Sequence, residues 1–272
     1  MKVVGVLQSR LTSSRLPGKT LLPIHGRPML LRCWDRLAFC KRLDSIVVAT
    51  SDDPANEPIR AVCAREGIGC VSATDNDRNV VGRLVEAAGA TSADAIVRIT
   101  PDCPLVDYSL VDRIVEAWLR SPRFDYVSNV LPRTFPDGLD AELVTSECLK
   151  WIEAEMPHPG DTINGLTVEA DYQEEPTRFI WDFARWFRVA PGVVNQGEEW
   201  GEPSGPITDL SALCWTVNHA RDLEFVRWVY GQLPEGFRWT DVLRLDALGP
   251  WRDRLTILEP AVNPAHARRI TR

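Results

Sequence analysis

The sequence predicts an α/β protein of three layers, in which a mixed, mostly parallel sheet lies between helices and carries a small inserted lobe. Short β-branched runs alternate with helical patterns from residue 2 to residue 120, and such alternation implies parallel strands covered on both faces. The 272 residues are 44% hydrophobic, which suits one large core with at most an appended lobe. No internal repeat, low-complexity tract or obvious linker divides the chain. We therefore expect one domain over 1–272, with a regular part at 1–125, an irregular lobe region at 126–212, and a closing strand with C-terminal helices at 213–272.

The elements follow in order. "KVVGVL" (residues 2–7) reads as a buried strand. Gly26-Arg27-Pro28 opens a helix with Pro28 at its first position, along which Leu30, Leu31, Trp34, Leu37 and Ala38 share one face. "SIVVAT" (45–50) is a strand, 56–66 a helix ended by Gly67, "CVS" (70–72) a short strand and 79–91 a helix. "AIVRIT" (95–100) is a strand, and 109–120 a helix with Leu110, Val111, Ile114, Val115 and Trp118 as its apolar face. Residues 126–144 suggest two strands around a turn containing proline and glycine, and 146–156 a helix. Residues 157–212, rich in Gly, Pro and Trp, carry no clear pattern. "LCWTV" (213–217) reads as a late strand and 219–232 as an amphipathic helix. Ligands of such sheets sit beyond the carboxyl ends of the strands, so residues 8–19, 51–54 and 101–107 should converge on one crevice.

The net charge of -7 and a sequence pI near 5.2 argue against a nucleic-acid partner, which would call for a basic excess. The local cluster Arg10, Arg15 and Lys19 points instead to a small anionic ligand. No apolar run approaches the roughly 20 residues of a membrane span, and "MKVVGVL" is too short for a signal-peptide core; a cytoplasmic protein without a membrane partner is expected. Seven cysteines with no C-x-x-C spacing fit reduced thiols better than disulfides or a zinc site.

Gly18-Lys19-Thr20 ends like a phosphate-binding P-loop, but Ser13 stands where the first glycine of that motif belongs. Pro23 also blocks a helix from starting at the lysine. Two readings remain on charge and spacing: a longer irregular loop whose side chains and backbone N–H groups hold a triphosphate, or a solvated basic turn, which charge alone favours.

The order of residues separates the two. "QSRLTSSRLPGKTLLPIHGRPML" (8–30), "IVVATSDD" (46–53), "IVRITPDCPLVD" (96–107), "DYVSNVLPRTFPDGLDAELV" (125–144) and "DLSALCWTVNHARDLEFV" (209–226) closely resemble the successive signature blocks of the cytidylyltransferases of the spore-coat polysaccharide and flagellar-modification type. These are relatives of the CMP-KDO synthetases in the nucleotide-diphospho-sugar transferase superfamily. The resemblance implies a Rossmann-like fold and transfer of CMP from CTP to an acceptor, with pyrophosphate released. On this footing 1–125 is the nucleotide-binding half and 126–212 the acceptor side.

What the resemblance implies can be carried residue by residue. Arg10 and Lys19 grip the phosphates and stabilise the transition state, Asp102 holds a Mg²⁺ ion, and Gln8, Ser9, Ser13, Arg15, Gly18 and Arg83 belong to the nucleotide side. Arg15 is equally well a surface arginine closing the loop. Asn129, Arg133, Asp137 and Asp140 face the acceptor: Arg133 could pair with a carboxylate or phosphate through its planar fork, and Asp137 and Asp140 could bind sugar hydroxyls. Pro136-Asp137-Gly138 is also a plain turn sequence. A homodimer is expected from the resemblance alone.

The chain departs from the pattern at named places. Asn218 stands where the resemblance would put a second acidic metal ligand, Cys214 where it would put arginine, Gly82 where it would put aspartate and Pro101 where it would put glycine. The family's H-V-T has no clear counterpart in "HPGDTINGL". Because the nucleotide-facing loop with Arg10 and Lys19 is intact while the departures gather at the acceptor and second-metal positions, a changed anionic acceptor (a sugar acid, sugar phosphate or phosphonate) accounts for them better than lost catalysis. A nucleotide-binding protein without turnover is the second reading. A nucleotide-sugar glycosyltransferase is the third, resting on the Asp-x-Asp spacing of Asp75-Asn76-Asp77.

Overall fold

A computed structural model describes residues 1–13, 15–74, 77–163, 166–168, 171–190, 198–199, 202–203 and 209–251. Asp75 and Asn76 lie outside the described residues, as do residues 252–272. Six strands form the main sheet: β1 (Val3–Gln8), β4 (Ser45–Ser51), β5 (Cys70–Ala73), β6 (Ala95–Ile99), β7 (Tyr126–Ser128) and β8 (Glu142–Thr145), in the order β5-β4-β1-β6-β8-β7. The first four are mutually parallel; β8 runs antiparallel to β6 and to β7. The sheet is mixed and mostly parallel, as expected. A two-stranded ribbon, β2 (Pro23–Ile24) and β3 (Arg27–Pro28), precedes the first long helix.

Alternation along β1 explains the layers. Val3 and Leu7 pack on one face with residues of α1 (Met29–Leu37), α2 (Glu57–Glu66) and α4 (Tyr108–Arg120). Val4 and Val6 pack on the other with α3 (Val80–Thr91) and α5 (Ser146–Glu155). Successive side chains of a strand point to opposite faces, so a strand buried on both sides reads as a continuous apolar run, which is what "VVGVL" is. A third cluster joins Ile24, Leu105, Phe135, Leu139, Trp215 and Val217 to α7 (Ala220–Gln232). Two helices were outside the reach of sequence periodicity or only anticipated in general terms: α6 (Pro176–Asp182), in the lobe region, and α8 (Trp239–Leu248).

Two expectations are corrected. Pro28 caps α1 instead of occupying its first turn, and Ala38 lies past the helix end and exposed, off the buried face. "LCWTV" is no sheet strand: it makes one isolated bridge, Asp137 to Cys214, because its backbone groups are spent on loops. Leu213 O accepts from Asp137 N, Trp215 N donates to Asp137 O and Val217 N donates to Asp102 O. Among the described residues, no helix is long and apolar enough to cross a membrane, and all seven cysteines are free thiols.

Candidate active site

The loops after β1, β4 and β6 meet as the topology requires. After β1 the chain turns at Gly18 in the left-handed region (φ 68°), starting a short 3-10 turn over Lys19–Leu21. No α-helix starts at the lysine, since β2 and β3 intervene before α1, so the P-loop stays excluded. The turn carries Lys19 inward until only 7% of it is exposed. Its Nζ donates to Asp102 Oδ2 at 2.6 Å and to the carbonyl of Val217 at 2.8 Å. Asp102 in turn accepts at its backbone oxygen from Val217 N at 2.8 Å. Three segments distant in sequence (18–21, 100–107 and 215–218) thus cross at one ion pair. Burial by itself would push the Asp102 carboxyl up, but Lys19 beside it outweighs this and holds it below the usual carboxylate range.

Asn218 follows this crossing directly. Its backbone N–H is taken by Asp222 at 2.9 Å, while its side-chain oxygen Oδ1 is buried and accepts no hydrogen bond from the described residues. Leaving such a carbonyl oxygen buried and unsatisfied costs about 1–3 kcal/mol. The Asp102 carboxylate and the Asn218 amide both offer oxygen atoms, the kind of ligand that a hard cation could take. Among the described residues no group of three or more His, Cys, Asp or Glu could hold a metal ion, so a cation here would take its remaining oxygens from ligand and water.

The residues expected on the nucleotide side gather around Asp77. Its carboxylate accepts from Ser51 Oγ at 2.9 Å and Asn56 Nδ2 at 2.7 Å, and from Thr12. Burial would raise its pKa; the Thr12, Asn56 and Ser51 hydrogen bonds hold it lowered. Its backbone carbonyl accepts from fully buried Arg83 at 2.7 Å and from Arg10 at 3.4 Å. Arg10 also pairs with Glu174. Asn56 Oδ1 ties the loop to α2 through Leu11 N at 2.9 Å, and Thr20 Oγ1 donates to Arg10 O at 3.2 Å, linking the Arg10 and Lys19 turns. Gln8 Oε1 accepts from Arg98 at 2.8 Å. Ser9 is buried, with no hydrogen-bond partner at Oγ among the described residues. Ser13 Oγ accepts a long bond from Leu16 N, and Arg15 is exposed.

The acceptor-side residues divide by their surroundings. Both ends of the buried Asn129 amide bond backbone, donating to Leu139 O at 2.8 Å and accepting from Ala141 N at 3.0 Å; the geometry gives Asn129 a loop-shaping place. Arg133 directs two nitrogens at Asp140 and lies 3.7 Å from Asp137. Asp137 is placed rigidly by the bonds to 213 and 215 and accepts from Thr216 Oγ1 at 3.0 Å. Burial first, and then the charge of Asp140, raise its pKa. Cys103 is buried beside Thr100 and Thr216, and burial pushes its thiol well up, so it is no thiolate nucleophile. Sequence reasoning missed Glu174, Thr216 and the role of Asp77 as a hub; Asp77 alone had left a signal, as the described end of the Asp-x-Asp spacing.

A cationic loop facing an aspartate at the carboxyl ends of parallel strands defines the class: an α/β nucleotidyltransferase. The profile of the cytidylyltransferase family matches residues 4–144, just over half the chain, and the chain belongs to that family of CTP-dependent nucleotidyltransferases. It is 36% identical over 171 residues to an uncharacterised protein of Methanocaldococcus jannaschii, covering 62% of this chain and 68% of that one. It is 34% identical over 145 residues to the mitochondrial 3-deoxy-manno-octulosonate cytidylyltransferase of Arabidopsis thaliana, covering 53% of this chain and 49% of that one. To the spore coat polysaccharide biosynthesis protein SpsF of Bacillus subtilis it is 27% identical over 192 residues, covering 69% and 73%. The chain thus spans about half the length of the octulosonate cytidylyltransferase. A solved cytidylyltransferase of Leptospira borgpetersenii shares the fold at TM-score 0.76 and 24% identity, over 90% of this chain and 94% of that one.

Proposed function

We propose that the protein transfers CMP from CTP to a small anionic acceptor. An acceptor oxygen attacks the α-phosphorus, any proton it carries passing to water, the new P–O bond forms, and the bond from the α-phosphorus to the bridging oxygen breaks. Pyrophosphate leaves with that electron pair. The observation that carries this reading is the buried crossing of Lys19, Asp102 and Val217 beside the unsatisfied oxygen of Asn218. Lys19 supplies a desolvated positive charge where phosphate oxygens gain charge, and such fixed charge is worth more in a dry site than in water. Arg10, from the same loop, offers further N–H donors to the triphosphate.

Asp102 and the Asn218 carbonyl would hold Mg²⁺, which, when bound, offsets charge on the phosphates. With only one carboxylate in that pair, the ion keeps more positive charge than two would leave it. An acceptor that brings a carboxylate, phosphate or phosphonate oxygen suits this deficit. Arg133 has one N–H of each terminal nitrogen engaged by Asp140, so an acceptor anion would meet its remaining N–H donors. Asp137 and Asp140 keep lone pairs for acceptor hydroxyls.

The test is pyrophosphate release from CTP in the presence of MgCl2 with a panel of sugar acids, sugar phosphates and phosphonates. Release that depends on one anionic acceptor, and that Asp102→Asn abolishes, supports the reading. CTP binding without release under any acceptor favours a protein that has kept nucleotide binding alone.

A further inference from the structure

Arg10 does not stand free in its loop. Its Nη2 meets Glu174 Oε1, across 164 residues of sequence, and its Nη1 reaches the carbonyl of Asp77. Glu174 belongs to the lobe region, and a short segment around it is fastened to the nucleotide side by several bonds. The carbonyl of Gln173 accepts from Val80 N at 2.8 Å and from Val81 N at 3.3 Å, at the amino end of α3. Arg78, just before α3, pairs with Asp171 at 2.8 Å and with the second oxygen of Glu174 at 3.4 Å. The Glu174 carboxylate is therefore shared between two arginines, one on the loop after β1 and one before α3.

We propose that Glu174 is a positioning residue for Arg10, so that gripping of the nucleotide depends on the lobe being docked against α3. This rests on the reading of Arg10 as a phosphate ligand. A guanidinium carries five N–H donors in a planar fork. Glu174 and the Asp77 carbonyl each engage one terminal nitrogen, which fixes the plane while donors remain for phosphate oxygens. An arginine on an irregular loop would otherwise lose side-chain freedom on binding, and a fixed plane lowers that cost. The bond also joins the lobe, which bears the acceptor side, to the loop that holds the triphosphate.

Arg10 and Glu174 keep 28% and 30% of their side-chain surface, and partly exposed pairs contribute little to stability. Removing the charge should leave the fold intact, which circular dichroism and the thermal midpoint would verify. The measurement is calorimetric CTP affinity in MgCl2, with steady-state turnover, for Glu174→Gln, Glu174→Asp, Arg10→Ala and the double variant Arg10→Ala/Glu174→Gln. Glu174→Gln should weaken CTP binding roughly tenfold, Glu174→Asp should restore part of the loss, and Glu174→Gln should add nothing once Arg10 is alanine. Unchanged or tighter CTP binding in Glu174→Gln overturns the proposal, as does a loss that simply multiplies with that of Arg10→Ala. An Arg10→Ala variant that binds and turns over CTP normally overturns the phosphate role of Arg10 and the positioning with it; an impaired Arg10→Ala beside a normal Glu174→Gln overturns only the positioning.

Discussion

Asp102 lies in a desolvated loop with Lys19 as its counter-charge at one oxygen and the Cys103 thiol 3.8 Å from the other. Asp102→Asn keeps the shape and removes the charge that a metal would need. Turnover should fall by at least two orders of magnitude, equivalent to about 3 kcal/mol of lost electrostatic stabilisation, with the fold retained but the thermal midpoint lowered, since buried Lys19 loses its counter-charge; near-wild-type pyrophosphate release would sink the assignment. Asn218 offers a sharper contrast. If the acceptor brings its own negative charge, Asn218→Asp crowds two anions near Asp102 and should lower turnover with the native acceptor. Higher release with every acceptor tested would instead mark Asn218 as a lost carboxylate. Asp102, Lys19 and Asn218 could be singled out in the sequence because they sit in blocks whose order is distinctive, and the fold joins the first two directly. Glu174 was not: its meaning lies in a contact spanning 164 residues, inside a region whose apolar pattern follows neither helical nor strand period. Asn129 is a different case. Its position in a motif suggested the acceptor, yet its amide is consumed in holding Leu139 and Ala141.

The same distinction holds for helices and strands. β1, β4 and β6 were readable because burial on both faces writes a continuous apolar run, and α4 because Leu110, Val111, Ile114, Val115 and Trp118 recur at helical spacing and are buried. "LCWTV" has the composition of a strand but not its partners, and composition cannot tell a ladder from an extended segment pinned by three loops. That pinning depends on Gly138, which has φ +107° and packs so closely that a Cβ would stand 2.8 Å from both Thr216 N and Trp215 C. An L side chain is strained at that φ and clashes with backbone that cannot swing aside. Gly138→Ala should destabilise the protein by about 2 kcal/mol or more, read as a lower urea midpoint. Turnover should fall further than stability does, because the 213–218 segment also carries Asn218 and the Val217 carbonyl that holds Lys19. A variant of unchanged midpoint and turnover would show that the 137–138 turn does not hold this segment in place.

Asp77 and Asp102 join segments that no single element contains, so their ionisation is felt by the protein as one cooperative structure. Both carboxyls are held below their ordinary range in the fold, and an unfolded aspartate titrates near about 3.9. The stability they confer is present above that value and is lost as pH falls through their lower folded values. Asp137 acts in the opposite sense: its folded pKa is raised, so its contribution is greatest below the unfolded value and fades as pH rises through the folded one. Lys19→Ala isolates the Asp102 part. It removes the cation that lowers the Asp102 carboxyl and leaves the burial that raises it. At neutral pH an unpaired, mostly buried carboxylate should cost about 3 kcal/mol, and the sign of its pH dependence should invert, stability being regained as acid protonates Asp102. Urea midpoints of wild type and Lys19→Ala, measured from pH 7 down to about 3.5, should therefore converge. Parallel curves over that range would show that the Lys19–Asp102 pair is not what holds the three crossing segments together.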